Sequence, residues 1–252
     1  MARIEAICYS NRGLCRPHNE DNFIFCEHIR EEDPESASVE MYSPRLKINH
    51  NIVGVFDGMG GMAHGERASQ TAAAFFLQHR NTGSLHDSLS ELCMKSNRLI
   101  QNQNEQSNEE SGTTVAVLGF EFRKALICNV GDSRIYRKSK GILEQLSKDH
   151  TDKALLESMG ITTRQPRLMQ YLGMSDRLDV HPAMMTTPLK RGELYLCCTD
   201  GLYSMVSDSE LSDIMNESES LQIIANNLMD ASLKAGGTDN ITFVLCKVRF
   251  GL

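Results

Sequence analysis

Asp57-Gly58-Met59-Gly60-Gly61 follows directly on the apolar run Ile52-Val53-Gly54-Val55-Phe56. A β-branched run of this kind reads as a buried strand, and a carboxylate at its end is costly to bury unless it pairs or binds a cation. The glycines behind it let the backbone turn sharply and approach whatever the carboxylate holds. Four other places repeat the arrangement. Glu20, in Asn19-Glu20-Asp21, precedes Asn22-Phe23-Ile24-Phe25, and Asp132, in Gly131-Asp132-Ser133-Arg134, follows the run 125–130. Asp200, in Thr199-Asp200-Gly201-Leu202, follows Cys197-Cys198, and Asp239, in Gly237-Thr238-Asp239-Asn240, precedes 241–245. Each alone is an ordinary turn or cap. Together they put five carboxylates at strand ends, and if those ends converge, mutual repulsion demands cations. An oxygen-only donor set selects Mg²⁺ or Mn²⁺ over zinc, and a pair of such ions activates hydroxide for attack on phosphate esters.

The elements that must position these residues can be read from periodicity. Strand-like segments fall at 3–9, 22–26, 51–56, 113–119, 124–130, 134–138, 142–146, 178–181, 193–198 and 241–249. Two pairs, 113–119 with 124–130 and 134–138 with 142–146, are close enough to be hairpins, and such short connections demand antiparallel pairing. Helical periodicity appears at 66–79, 85–101, 208–215 and 219–234. Helices thus come in pairs between groups of antiparallel strands, which predicts an α+β fold with helices packed on sheets rather than a βαβ alternation. Residues 31–45, polar and proline-bearing, read as an exposed loop.

Composition bounds the function. The 252 residues carry 40% hydrophobic and 23% charged side chains, ordinary for a globular protein. With no repeat or Pro/Ser-rich linker, residues 1–252 read as one domain. A net charge of −7 argues against nucleic acid or an anionic membrane as partner. No apolar run approaches the ~18–20 residues of a membrane span, and the N-terminal residues lack the apolar core of a secretory signal. Of the eight cysteines, Cys8, Cys26, Cys128, Cys197, Cys198 and Cys246 lie in apolar strand-like runs and read as small buried hydrophobes in a reducing compartment. The expectation is a cytoplasmic, monomeric protein.

The motifs taken in order resemble those of the metal-dependent serine/threonine protein phosphatases of type 2C, in their compact bacterial form. The matches are Arg16 with Asn19-Glu20-Asp21, the Asp57 motif, Ser111-Gly112-Thr113-Thr114, Gly131-Asp132-Ser133-Arg134, Thr199-Asp200-Gly201-Leu202 and Gly237-Thr238-Asp239-Asn240. The resemblance implies a four-layer α-β-β-α sandwich, two antiparallel sheets face to face with helix pairs outside and a bimetal cleft at one end. It implies two Mn²⁺ or Mg²⁺ ions bridged by Asp57, with Glu20 and the Gly58 carbonyl on one and Asp200 and Asp239 on the other. Asp21 would act through metal-held water, and Asp132 with Asp200 would hold a weaker third ion. Arg16 would bind the phosphoryl group, whose geometry suits a guanidinium fork. Substrates would be phosphoserine and phosphothreonine proteins, including a cognate serine/threonine kinase, and hydrolysis would be a single in-line attack by water.

Two departures stand out. Met59 occupies the position of a histidine proposed as leaving-group acid in eukaryotic members, as in bacterial relatives, and cannot donate a proton. The stretch 152–171 is short where bacterial relatives carry a longer flap, with a brief helix expected at 152–159. His18, His64 and His150 lie near motifs but read as hydrogen-bonded structural residues. Two rivals fail on chemistry. Cys128 to Arg134 fits the spacing of a cysteine phosphatase loop, but Asp132 would put a negative charge in the phosphate cradle and no helix follows to depress the thiol pKa. Gly58-x-Gly60-x-x-Ala63 suggests a dinucleotide loop, but no acid ends a second strand ~20 residues on.

Overall fold

Ile4, Ala6 and Cys8 turn to one side of their strand and join a cluster with Val53, Val55, Leu118, Tyr195 and Val244. Ile7 and Tyr9, on the other side, join Leu196, Ile224, Leu228 and Phe243. The same alternation divides Val53 and Val55 from Ile52 and Phe56, which pack with Ala72, Phe76 and Leu89. Because side chains alternate strictly along a strand, these strands have apolar partners on both faces. The sequence therefore folds as two sheets back to back, each covered outside by helices.

The structure, a computed structural model, describes residues 2–31, 38–46, 51–60, 64–80, 84–162, 166–174 and 179–250. The chain begins with β1 (Ala2–Asn11), β2 (Asn22–Ile24), β3 (Ser38–Leu46), β4 (Asn51–Phe56) and β5 (Gly58–Gly60). Helices α1 (His64–His79) and α2 (Leu85–Ser107) follow. Next come β6 (Ser111–Thr113), β7 (Val115–Glu121), β8 (Lys124–Val130), β9 (Arg134–Ser139) and β10 (Ile142–Gln145). After α3 (Lys153–Ser158) stand β11 (Ala183–Pro188) and β12 (Leu194–Cys198). The chain closes with α4 (Asp200–Tyr203), α5 (Asp208–Ile214), α6 (Leu221–Lys234) and β13 (Ile241–Phe250).

One sheet runs β10-β9-β12-β13-β1-β3, the other β11-β8-β7-β4-β2, and β5 pairs with β6 alone. Every pairing is antiparallel. Helices α1 and α2 cover the second sheet, while α4, α5 and α6 cover the first. Both expected hairpins form. In β9–β10, Ser139 faces Ile142 across Lys140 and Gly141, both at positive φ, as a two-residue turn matched to strand twist requires.

Three expectations need correction. Of the stretch 31–45, read as loop, residues 38–45 belong to β3 on the edge of the larger sheet, while residues 32–37 lie outside the described residues. The strand expected at 178–181 is not there; the run 183–188 pairs with β8 instead, and residue 178 lies outside the described residues. Cys26 is only half-buried, although Cys8, Cys128, Cys197, Cys198 and Cys246 are buried and all eight cysteines are free thiols. Among the described residues no helix is long and apolar enough to cross a membrane.

Candidate active site

Antiparallel topology brings the end of β4, the start of β2, the β8–β9 turn, the end of β12 and the start of β13 to one end of the sandwich. There Arg16, Glu20, Asp57, Gly58, Asp132, Asp200 and Asp239 line a single cleft of about 280 Å³, with Met59, Thr114, Pro166, Leu168 and Asn240. The sequence motifs separated by as many as 223 positions therefore meet. Gly61 and Ala63, the ends of the two glycine patterns, lie outside the described residues.

Asp57 is clamped through its backbone. Its N–H donates to Thr114 Oγ1 at 3.0 Å, and its carbonyl accepts from the Thr113 hydroxyl and the Thr114 N–H, both at 2.9 Å. Gly58 is required by close packing: a Cβ there would lie 2.3 Å from the Gly65 carbonyl oxygen and 2.4 Å from that of Glu20. Asn240 ties the N-terminal and C-terminal motifs together. Its Oδ1 accepts the Glu20 N–H at 2.8 Å, and its Nδ2 donates to the Arg12 and His18 carbonyls at 2.9 Å. Sequence reasoning quoted Asn240 only as part of a motif; a buried amide beside a candidate ligand was the signal for this role. Thr199, just before Asp200, donates to Asp21 Oδ2 at 2.9 Å.

Asp21 is 2% exposed and stands behind the cleft rather than in its lining. Burial, reinforced by Asp200 and Asp239, lifts its pKa to about 7, although bonds from Thr242 and Thr199 oppose the shift. Burial likewise raises Asp57 well above the usual carboxylate range, with Asp200 the largest charged contributor. Asp132 is pushed up to about 6, first by burial and then by Asp200. Burial raises Glu20 too, against the lowering effect of Arg16, and it raises Asp200 with help from Asp239. This is the signature of several carboxylates crowded into one low-dielectric cleft.

Among the described residues Arg16 is the one basic side chain in the lining, and its Nη2 lies 2.7 Å from Asp239 Oδ2. The remaining charge is negative and all donors are oxygen, a set suited to hard divalent cations. Among the described residues no three His, Cys, Asp or Glu side chains already close on a common centre. Arg16 holds one Asp239 oxygen, a contact that a cation would replace. Asp57 and Asp200 repel within the cleft, a repulsion that a cation would relieve, so the donor set fits the ions.

The histidines behave as structural residues where their bonds are seen. His150 Nδ1 accepts the Gly131 N–H at 3.2 Å, and burial lowers its pKa, keeping that nitrogen free to accept. His64 pairs with Glu109 at 3.0 Å. Cys128 is fully buried against α2, its sulfur 3.6 Å from that of Cys93, and takes no part in the cleft. The segment after Asp149 is tied back on itself: Asp152 N–H donates to the Arg167 carbonyl at 3.0 Å and Arg167 N–H to Asp152 Oδ1 at 2.7 Å. Pro166 and Leu168 from this segment border the cleft, and the expected helix is α3.

Fold and cleft together define a metal-dependent phosphatase architecture, and comparison with known proteins agrees. The sequence profile described as protein phosphatase 2C matches residues 28–235, and the chain belongs to that family. It is 29% identical over 262 residues to the serine/threonine protein phosphatase PstP of Mycobacterium tuberculosis, a match covering 98% of this chain but 46% of PstP. It thus spans about half of that relative's length. Against the serine/threonine phosphatase stp of Listeria monocytogenes it is 28% identical over 253 residues, covering 94% of this chain and 92% of that one. The catalytic domain of a PstP phosphatase solved with two manganese ions superposes with a TM-score of 0.80 at 28% identity, covering 99% of this chain and 100% of that domain.

Proposed function

We propose that this chain is a single catalytic domain that hydrolyses phosphoserine and phosphothreonine in proteins, dependent on Mn²⁺ or Mg²⁺. The observation that carries this reading is the meeting of five strand-end carboxylates and Arg16 in one cleft. When bound, a pair of divalent cations supplies charge neutralisation and an activated water for attack on phosphorus. Asp57 would serve both ions. Glu20 and the Gly58 carbonyl would hold one and Asp200 and Asp239 the other. Asp132 and Asp200 would hold a weaker third. Asp21, behind them, orients solvent toward the cleft. Arg16 holds the phosphoryl oxygens with its planar fork, a geometry lysine cannot match. Met59 borders the cleft without a proton to give, so the departing alkoxide would take its proton from water or leave without an acid.

The manganese-containing PstP domain supports the choice of ions, and the named phosphatases support the substrate class. We infer further a cytoplasmic monomer that opposes a serine/threonine kinase. A direct test of the substrate class is phosphate release from matched phosphothreonine, phosphoserine and phosphotyrosine peptides in Mn²⁺. Turnover of the first two well above the third is expected; preference for phosphotyrosine would overturn the assignment.

A further inference from the structure

Two of the candidate cation-holding carboxylates reach the cleft from separate segments, Asp132 from the β8–β9 turn and Asp200 from the first residue of α4. A side-chain bridge joins them. Tyr203, in the same short helix as Asp200, donates its hydroxyl to the Asp132 carbonyl at 3.0 Å. Helix α4 has no room to slide, because a Cβ on Gly201 would lie 1.9 Å from the Asn240 carbonyl oxygen. Tyr203 is also held by its ring. The Arg134 guanidinium lies over it, 3.8 Å from the centroid, a contact that is favoured electrostatically and strengthened by partial burial.

Arg134 is itself immobilised. Its Nε and Nη2 fork onto Asp149, with Nη2 at 2.7 Å from Oδ2, and its Nη1 donates to the Tyr136 hydroxyl at 2.9 Å. The Tyr136 hydroxyl in turn donates to Asp208 Oδ1 at 2.9 Å. Arg134 and Asp149 side chains are 17% and 19% exposed, so the fork is largely shielded from water. Neither Tyr203 nor Arg134 lines the cleft, and among the described residues Tyr203 is tied to it by its bond to the Asp132 carbonyl.

We propose that Tyr203, clamped by Arg134, is a positioning residue that sets the spacing of the Asp132 and Asp200 carboxylates and thereby the affinity of a divalent cation held between them. The inference rests on the cation-binding reading of the cleft. Two carboxylates that line one cleft repel, and the Tyr203 bond restrains the turn that carries Asp132. An ordinary hydrogen bond of net worth about 1 kcal/mol corresponds to roughly a fivefold change in affinity. Replacing Arg134 with lysine removes both the fork and the planar stack.

Calorimetric titration of the whole chain with Mn²⁺ tests this. The ion to follow is the one whose binding disappears in Asp132→Ala. Tyr203→Phe, which keeps the ring under Arg134, is expected to weaken that ion about fivefold and leave the other binding unchanged. Arg134→Lys is expected to weaken it at least as much. Asp149→Asn, which loosens Arg134 without touching Tyr203, provides a second route if either variant folds poorly. Affinity for the Asp132-dependent ion equal to that of the parent in these variants would overturn the proposal. So would an equal loss of every ion, or a parent that binds Mn²⁺ with none of it dependent on Asp132. A parent that binds no Mn²⁺ at all would instead defeat the cation reading beneath it.

Discussion

Arg16 Nη2 lies 2.7 Å from Asp239 Oδ2, so the proposed phosphate anchor and a proposed cation ligand are paired with each other. Their side chains are 51% and 31% exposed, and ion pairs in such settings contribute about 0–1 kcal/mol. A stronger partner for either group therefore exchanges it readily: a cation for Asp239, a phosphoryl group for Arg16. Arg16→Ala is expected to leave the melting temperature within about 3 °C and Mn²⁺ affinity unchanged or tighter. It is expected to lower kcat/KM by about 10- to 100-fold, the range of charge-assisted hydrogen bonds. Kinetics and calorimetry on the same sample check both halves. Undiminished kcat/KM would remove Arg16 from the phosphate site.

Asp57→Asn separates stability from function. The carboxylate is raised well above its ordinary range by burial and by Asp200, Asp21, Asp132 and Asp239, so a neutral amide relieves repulsion. The chelated variant is expected to melt higher than the chelated parent, and to gain little from Mn²⁺ that strongly stabilises the parent. Thermal melts with and without the ion measure this. Equal Mn²⁺ stabilisation of parent and variant would exclude Asp57 as a ligand.

The same crowding sets a pH dependence. Asp21 and Asp132 titrate at about 7 and about 6 in the folded chain, whereas unfolded aspartates titrate near ~4. The folded state thus binds more protons than the unfolded state between these values, and stability falls as pH rises. Raised values at Glu20, Asp57 and Asp200 act in the same direction. Chelated protein should therefore lose melting temperature from about pH 4 to 7. Mn²⁺ should reverse the trend by favouring ionised ligands. A chelated melting temperature that climbs across this window would contradict the electrostatic account.

Gly58→Ala tests the packing of the cleft. The new methyl would meet the Gly65 and Glu20 carbonyl oxygens at 2.3 and 2.4 Å, forcing backbone apart at a cost of about 1–3 kcal/mol. Activity should fall more than stability, because Glu20 moves with its carbonyl. Gly141→Ala is the control: nothing lies within 4 Å, though φ is +81°. It should lose about 1 kcal/mol from backbone strain and no activity. Equal activity losses in both variants would show that cleft packing at Gly58 is not special.

The strands that carry site residues were legible because both faces are buried, which leaves continuous apolar runs such as 52–56 and 194–198 ending at a carboxylate. Edge strand β3 was not. Its pattern alternates between exposed and half-buried until Leu46, and its place is fixed by backbone pairing with β1, which polar residues and Pro44 do not announce. The shift from 178–181 to 183–188 has a similar cause, since Ala183, Met184 and Met185 pair on the outer edge of β8. Ligand candidates could be named from their motifs. The contacts that hold them, Thr199 on Asp21, Asn240 on Glu20 and Tyr203 on Asp132, join residues far apart in sequence and leave no periodic trace.

The most direct measurement is phosphothreonine-peptide hydrolysis before chelation, after exhaustive EDTA treatment, and after Mn²⁺ is returned. The carboxylate cleft predicts activity that is abolished and then restored, and that is unchanged in Cys128→Ser because Cys128 is fully buried away from the cleft. Hydrolysis that survives chelation but is lost in Cys128→Ser would contradict it.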